Sequence, residues 1–215
     1  MDAIIESTPL YLQGFVETLK LLAISGVGAF IVGVLVAAMR ISPIPTLRTF
    51  ATVYTELLRN VPLLLVLFFC AFVLPILGVD FDYFVLACIG LTAYTSPFVA
   101  EAVRSGFNGV PIGQAEAARS IGLNFGQTVS LVVLPQAVRM VVPPLINVFI
   151  ALTKNTSVSG VFIVIELFGA SSRAARDHGD AVILVLLYAA ALYLLITVPL
   201  GLIAGAIEKK VAVLR

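Results

Sequence analysis

Charge is what this chain has least of. Of its 215 residues only 12% are Asp, Glu, Lys or Arg, while 60% are hydrophobic and the mean hydropathy is +1.11. Soluble domains run at about 25% charged and roughly 45–50% apolar, so an integral membrane protein is implied. The two cysteines, Cys70 and Cys88, fall inside apolar runs without C-x-x-C or metal spacing; they read as small buried apolar side chains. The single histidine, His178, has no partner pattern and reads as an ordinary loop residue. A transporter or channel driven by an ion gradient carries Asp, Glu or His relays in mid-span. Here only Glu101, near the end of one run, qualifies. A membrane enzyme lacks support, since no metal cluster, nucleophile elbow or paired carboxylates can be found. Nor does any G-x-x-x-x-G-K-[ST] occur, so the chain has no P-loop to cradle phosphates and is not itself an ATPase. Asp2 and Glu6 stand where a signal peptide has basic residues, and the first apolar run is too long for an h-region. No cleaved signal is expected.

What the chain has instead is long apolar runs. A bilayer core about 30 Å thick needs roughly 20 apolar residues per helical span. Five runs qualify: Thr18–Met39, Val61–Leu77, Phe84–Val103, Val129–Leu152 and Ala181–Ile207. With the N-terminus outside, Arg40, Arg48, Arg59, Arg104, Arg119, Arg139, Lys209, Lys210 and Arg215 fall inside, and only Lys20, Lys154, Arg173 and Arg176 outside. That asymmetry follows the positive-inside rule and predicts a cytoplasmic C-terminus. The whole chain, residues 1–215, reads as one transmembrane domain, with a cytoplasmic loop at about residues 104–128. Gly26, Gly28 and Gly33 in the first span suit close helix packing. Pro43 and Pro45 mark the segment from Arg40 to Asn60 as an inner loop, which ends in the polar residues Glu56, Arg59 and Asn60. The segment from Lys154 to Asp180 is too charged to span, and its stretch Val158–Leu167 reads as a short re-entrant or surface helix.

Span three carries Thr92, Tyr94, Thr95 and Ser96 just before Pro97. Proline frees the carbonyl four residues back, here near Ala93, and that group needs a partner. The cluster reads either as a satisfied kink or as a polar lining for a translocated solute. Glu101 reads as an interface or helix-pairing residue whose partner is worth finding. Span four contains the pair Pro143 and Pro144, which breaks or kinks it, then Asn147, and it ends in Lys154, Asn155, Thr156 and Ser157.

Between spans three and four lies Gln114–Pro135, QAEAARSIGLNFGQTVSLVVLP. Pro111 and Gly113 are start signals for a short helix and Gly122 is a natural residue to end it. Ala115, Ala117 and Ala118 give high helix propensity with little bulk, so the helix can nestle into a groove on another protein. Glu116 and Arg119, three apart, can pair with each other or with that partner.

These residues carry a resemblance. Glu116-Ala117-Ala118, Gly122, Val132, Leu134 and Pro135 resemble the signature loop of membrane subunits of bacterial ATP-binding cassette (ABC) importers, with Val in place of the usual Ile. Tyr94-Thr95, Ala100-Glu101, Arg104-Ser105-Gly106, Leu134-Pro135-Gln136-Ala137, Arg139 and Lys154-Asn155-Thr156-Ser157 extend the likeness to the polar amino acid group, over nearly the whole chain. The resemblance implies an all-α permease of five spans with a cytoplasmic coupling helix, in which Glu116, Ala117, Ala118, Arg119 and Gly122 meet the ATPase. It implies as partners two cytosolic ABC ATPase subunits, which use ATP and Mg²⁺, a second permease subunit, paralogous or identical, and an extracytoplasmic amino-acid-binding protein. No cofactor in this chain and no nucleic acid are expected. The substrate pathway is assigned to Thr92, Tyr94, Thr95, Ser96, Lys154, Asn155, Thr156 and Ser157. Lys154 is either a cation for the solute or an interfacial anchor. Asn155, where related permeases sometimes place an acid, favours an anionic or neutral amino acid. GQAEAARS and ALTKNT look most like actinobacterial glutamate-uptake permeases, with aspartate and glutamine as alternatives to glutamate. A narrower alternative keeps the importer but lets the partner permease hold the solute.

Overall fold

The computed structural model describes residues 2–162 and 164–212, without the side chains of 211 and 212. The part of the topology argument that rests on Arg215 lies outside them. The described residues are mostly helical, with no strand among them. We label the helices α1 (Asp2–Ile41), α2 (Pro45–Asn60), α3 (Leu63–Ile76), α4 (Tyr83–Asn108), α5 (Ile112–Ser120), α6 (Leu134–Asn155), α7 (Leu167–Asp177) and α8 (Val182–Ala212). Four helical stretches are long and apolar enough to cross a bilayer; α2 and α3, bent by 105° at Val61–Pro62, make a fifth span if taken together. Four of the five spans expected from sequence are thus present, and the fifth is met by the bent pair counted as one.

The boundaries differ in four places. The first helix starts at Asp2, not near Thr18, because Ser7, Tyr11, Gly14, Thr18, Leu21, Ser25 and Ala29 form one buried stripe at helical spacing. Polar residues on its other face hid that stripe from a hydropathy count. The segment from Arg40 to Asn60, expected as a loop, is mostly α2: Pro45 sits in the first turn, where its missing N–H costs nothing. The pair Pro143 and Pro144 does not interrupt α6; the irregular backbone lies earlier, in a π-helical run at Thr128–Val133. The surface helix expected at Val158–Leu167 is replaced by a 3₁₀ segment, Thr156–Phe162, and by α7 beyond it.

The core is built by α1 against α4, and by α4 against α6. Close approach needs small residues: a side chain at Gly33 would meet Val99 Cβ at 2.5 Å. Pro97 lies inside α4 without ending it. The carbonyl of Ala93, deprived of its helical donor, accepts from Tyr54 Oη at 3.3 Å and Ser96 Oγ at 3.2 Å. Tyr54 Oη and Ser96 Oγ are 2.7 Å apart. The freed carbonyl is thus met from α2 by Tyr54 and from α4 itself by Ser96.

Polar contacts separate the two ends of the bundle. At one end Arg40, Arg59 and Arg104 gather on Glu101, close in sequence to α5. At the other, His178 Nε2 lies 3.6 Å from Glu6 Oε2, and Glu166 is completely buried. The Glu166 carboxylate caps α7 by accepting from the amides of Phe168 (2.8 Å) and Gly169 (2.7 Å), and it accepts from Tyr193 Oη (2.6 Å). Thr18 Oγ1 accepts from Leu167 N (3.1 Å), and Tyr11 Oη donates to Val185 O (2.8 Å). Side chains from α1, α7 and α8 are thereby tied together.

Candidate functional site

Two regions carry functional geometry, the short α5 helix and a cavity between α4 and α6. The α5 helix forms where the alanines predict it. Pro111 precedes it and Gly122 ends it at φ +90°, a left-handed conformation open to glycine at no steric cost. Gly122 N donates to Arg119 O (3.0 Å) and Leu123 N to Ala118 O (3.1 Å), closing the last turn. Glu116, Ala117 and Arg119 are exposed, and Ala118 alone in the helix is buried. Glu116 and Arg119 do not pair with each other among the described residues. Three large apolar side chains flank the helix in solvent: Ile112 is 78% exposed, Ile121 79% and Phe125 73%. Sequence reasoning picked out the alanines and missed this apolar rim, although all three residues lie in or beside the motif. Small side chains edged by exposed isoleucine and phenylalanine make a surface suited to another protein.

The helices that flank the rod are closely packed on each other. Where α4 runs toward it, a side chain at Gly106 would collide with Val141 of α6, and one at Gly109 would meet Met140 Sδ at 2.8 Å. The ends of α4 and α6 nearest α5 are therefore packed closely on each other, while α5 itself rests on the Thr128–Val133 run that leads into α6.

The cavity, about 440 Å³, is lined by Tyr94, Thr95 and Phe98 of α4 and by Asn147, Val148, Ala151 and Asn155 of α6. That volume lies within the roughly 300–1,000 Å³ of small-molecule sites. Its polar groups are a phenol, a hydroxyl and two amides, so it offers both donors and acceptors. Thr95 Oγ1 is buried without a hydrogen-bond partner among the described residues, and such a group is uncommon in a folded protein.

Of the eight residues assigned to the pathway, Tyr94, Thr95 and Asn155 line this cavity. Others face elsewhere. Thr92 Oγ1 points to α1 and donates to Ser25 O at 3.5 Å, and Ser96 is engaged with Tyr54. Thr156 Oγ1 donates to Thr153 O (2.7 Å) and Ser157 Oγ to Lys154 O (2.7 Å). Lys154 is exposed and does not line the cavity. Successive helical residues rotate by about 100°, so a run of four polar residues cannot all face one side. Asn147 and Phe98 were not among the assigned residues, although Asn147 lies two turns before Asn155 on the same face of α6. A second recess of about 400 Å³, among Leu22, Gly26, Phe30, Phe149 and Leu200, is almost wholly apolar and offers nothing to a polar solute.

Beside the cavity stands the ion cluster. Arg40 Nη1 donates to Glu101 Oε2 at 2.6 Å; Arg104 donates to Oε1 through Nε at 3.2 Å and also through Nη2. Arg59 Nη1 stays 3.9 Å from Oε2, and its guanidinium carbon lies 5.7 Å from the centre of the Phe98 ring. Tyr94 stacks on the same ring at 5.5 Å between centroids. The partner of Glu101 anticipated from sequence is thus three arginines, two of them from distant segments.

Known proteins resemble this chain throughout its length. Residues 29–213 match the family described as binding-protein-dependent transport system inner membrane component. The glutamate transport system permease protein GluC of Corynebacterium glutamicum is 41% identical, with 95% of each chain covered. The probable glutamine ABC transporter permease protein GlnM of Bacillus subtilis is 38% identical over 98% of this chain and 97% of its own. Among solved structures, an amino acid ABC transporter crystallised with histidines superposes with a TM-score of 0.89 at 28% identity, covering 96% of both chains.

Proposed function

The chain belongs to the binding-protein-dependent transport system inner membrane component family, and from that premise we propose that it carries glutamate. It is the multi-pass membrane permease of an ABC-type amino acid importer, a transport component whose family works with an ATPase and a substrate-binding protein. In our reading, two cytosolic ATPase subunits supply the energy, a second permease completes the pathway, and an extracytoplasmic protein delivers the solute. The chain itself performs no catalysis and holds no cofactor; ATP and Mg²⁺ act in the partner. The α5 end of the bundle faces the cytosol, with the N-terminus outside and the C-terminus inside, in line with the basic residues gathered at that end.

One observation carries the reading: α5 is exposed on every residue but Ala118 and Ala115, is edged by apolar side chains, and lies in the chain between α4 and α6, the two helices that enclose the cavity, packed on the Thr128–Val133 run that leads into α6. Force applied to it reaches the cavity walls through the segments on either side. Glu116, Ala117, Ala118, Arg119 and Gly122 form the contact with the ATPase. Tyr94, Thr95 and Asn155, joined by Asn147, form the solute path. Four neutral polar groups suit the zwitterionic backbone of an amino acid, which needs both donors and acceptors in a low-dielectric site. Glutamate is favoured over aspartate and glutamine by the name of the 41%-identical relative.

The test is uptake of labelled glutamate into vesicles containing the assembled transporter. Transport should need ATP, survive collapse of ion gradients, and be lost in Glu116→Lys while the chain still inserts. Uptake unchanged by that substitution, or driven by an ion gradient alone, contradicts the assignment. Competition by aspartate and glutamine fixes the preferred solute.

A further inference from the structure

The solute path as drawn ends in an aromatic ring. On α4, Phe98 lies one turn from Tyr94 toward α5; on α6, which runs the other way, Asn147 lies two turns from Asn155 toward α5. Phe98 and Asn147 therefore form the side of the cavity nearest the coupling helix, where a solute must leave. Two contacts meet the Phe98 ring, the tilted Tyr94 ring and the Arg59 guanidinium.

Arg59 differs from its two neighbours. Arg40 and Arg104 make hydrogen bonds to Glu101 and neutralise it, whereas Arg59 stands at 3.9 Å, too far for a hydrogen bond. Its position is set by the ring on one side and by a long, loose attraction to Glu101 on the other. It also comes from a separate element: Arg59 is the penultimate residue of α2, just before the 105° bend into α3. Glu101 and Phe98 both belong to α4, which leads into α5 through Gly109–Pro111. A pull on α5 that shifts α4 against α2 therefore separates Phe98 and Glu101 from Arg59 together.

We propose that Arg59, seated on Phe98 and drawn by Glu101, is a positioning residue that latches the exit side of the cavity. The proposal rests on the transport reading above and adds to it the place where coupling-helix movement is converted into opening. With α2 and α4 in register the ring is clamped and the exit is closed by Phe98. When they slide apart the clamp is released, the ring turns, and the exit opens.

The experiment reads accessibility, with no solute required. In inside-out membrane vesicles carrying the assembled transporter, with Cys70 and Cys88 replaced by alanine, Ala151→Cys places a thiol in the cavity one turn beyond Asn147. A charged, membrane-impermeant thiosulfonate is added from the α5 side and its labelling rate is measured. Arg59→Gln should raise the rate about tenfold, the size expected on losing a partly desolvated cation–π clamp. Phe98→Leu should do the same, and the double variant should be no faster than either, since both remove one contact. Arg59→Lys, which keeps a cation over the ring, should stay within about threefold of the parent. An unchanged rate in Arg59→Gln, or rates that multiply in the double variant, overturns the latch; if Arg59→Gln does not assemble, the Phe98→Leu and Arg59→Lys rates decide. Such a result leaves the glutamate assignment standing, whereas loss of glutamate uptake specificity with the labelling response intact does the reverse.

Discussion

Glu101 and Glu166 stand at opposite ends of the bundle and are held in opposite ways. Glu101 is partly exposed and meets three guanidinium groups from three helices. Glu166 is completely buried and meets no cation among the described residues; two backbone amides and one phenol hold it. Burial pushes the Glu166 carboxyl up to about 6, against the pull of the Tyr193 hydroxyl and the amides of Phe168 and Gly169. A carboxylate shared among arginines of three helices can change partners as those helices slide. One that caps a helix inside a closed pocket cannot, and even Gly160 must lack a side chain there because a Cβ would strike Glu166 Oε1. The end facing α5 is built to rearrange, and the far end is built to stay.

That contrast can be broken by substitution. Glu166→Ala leaves two buried amides and a phenol without an acceptor, and should cost roughly 4 kcal/mol of stability, read as a large fall in thermal midpoint in detergent. Glu101→Gln should cost less, about 2 kcal/mol, because the arginines it releases are partly in contact with water; its main effect should be on transport rate. Equal losses at the two sites would abolish the distinction drawn here.

The pH dependence sharpens it. Glu166 has a folded pKa of about 6 against an ordinary 4.5, so the folded protein holds this proton more tightly than the unfolded chain. Its contribution to stability is fully present below pH 4.5 and is lost as pH rises through 6. The loss should be at most about 2 kcal/mol, and it should vanish in Glu166→Gln. Smallest of all, Tyr193→Phe removes one of three donors and should cost about 1 kcal/mol. A denaturation series of these variants across pH measures all of this together.

The apolar spans were legible in the sequence because lipid-facing helices announce themselves by composition. The α5 rod was legible because Ala115, Ala117 and Ala118 are followed by Gly122, and the backbone at that glycine is left-handed as a helix stop requires. The first sixteen residues of α1 were not legible as helix, since Glu6, Gln13 and Glu17 interrupt the apolar run while the buried stripe continues beneath them. Nor was α2, whose prolines lie before and at its first turn, where they begin a helix and do not forbid one. At the cavity, residue type was a better guide than residue neighbourhood. Tyr94, Thr95 and Asn155 face inward, but Thr92 and Ser96 are turned away by helical rotation and Lys154 lies outside. The arginines around Glu101 come from segments 42 and 61 positions away, a proximity that only tertiary packing creates.

Pro97 shows how a defect becomes an address. Proline brings no amide hydrogen, so one carbonyl in the middle of α4 has no backbone donor of its own helix and is left to hydroxyl groups, Ser96 within α4 among them. In hydrocarbon that vacancy is costly, and Tyr54 is the side chain from another helix that fills it. The cross-bridge fixes where α2 crosses α4, and with it how far Arg59, five residues on, can reach. One absent hydrogen thus governs the crossing on which the proposed Arg59 latch depends.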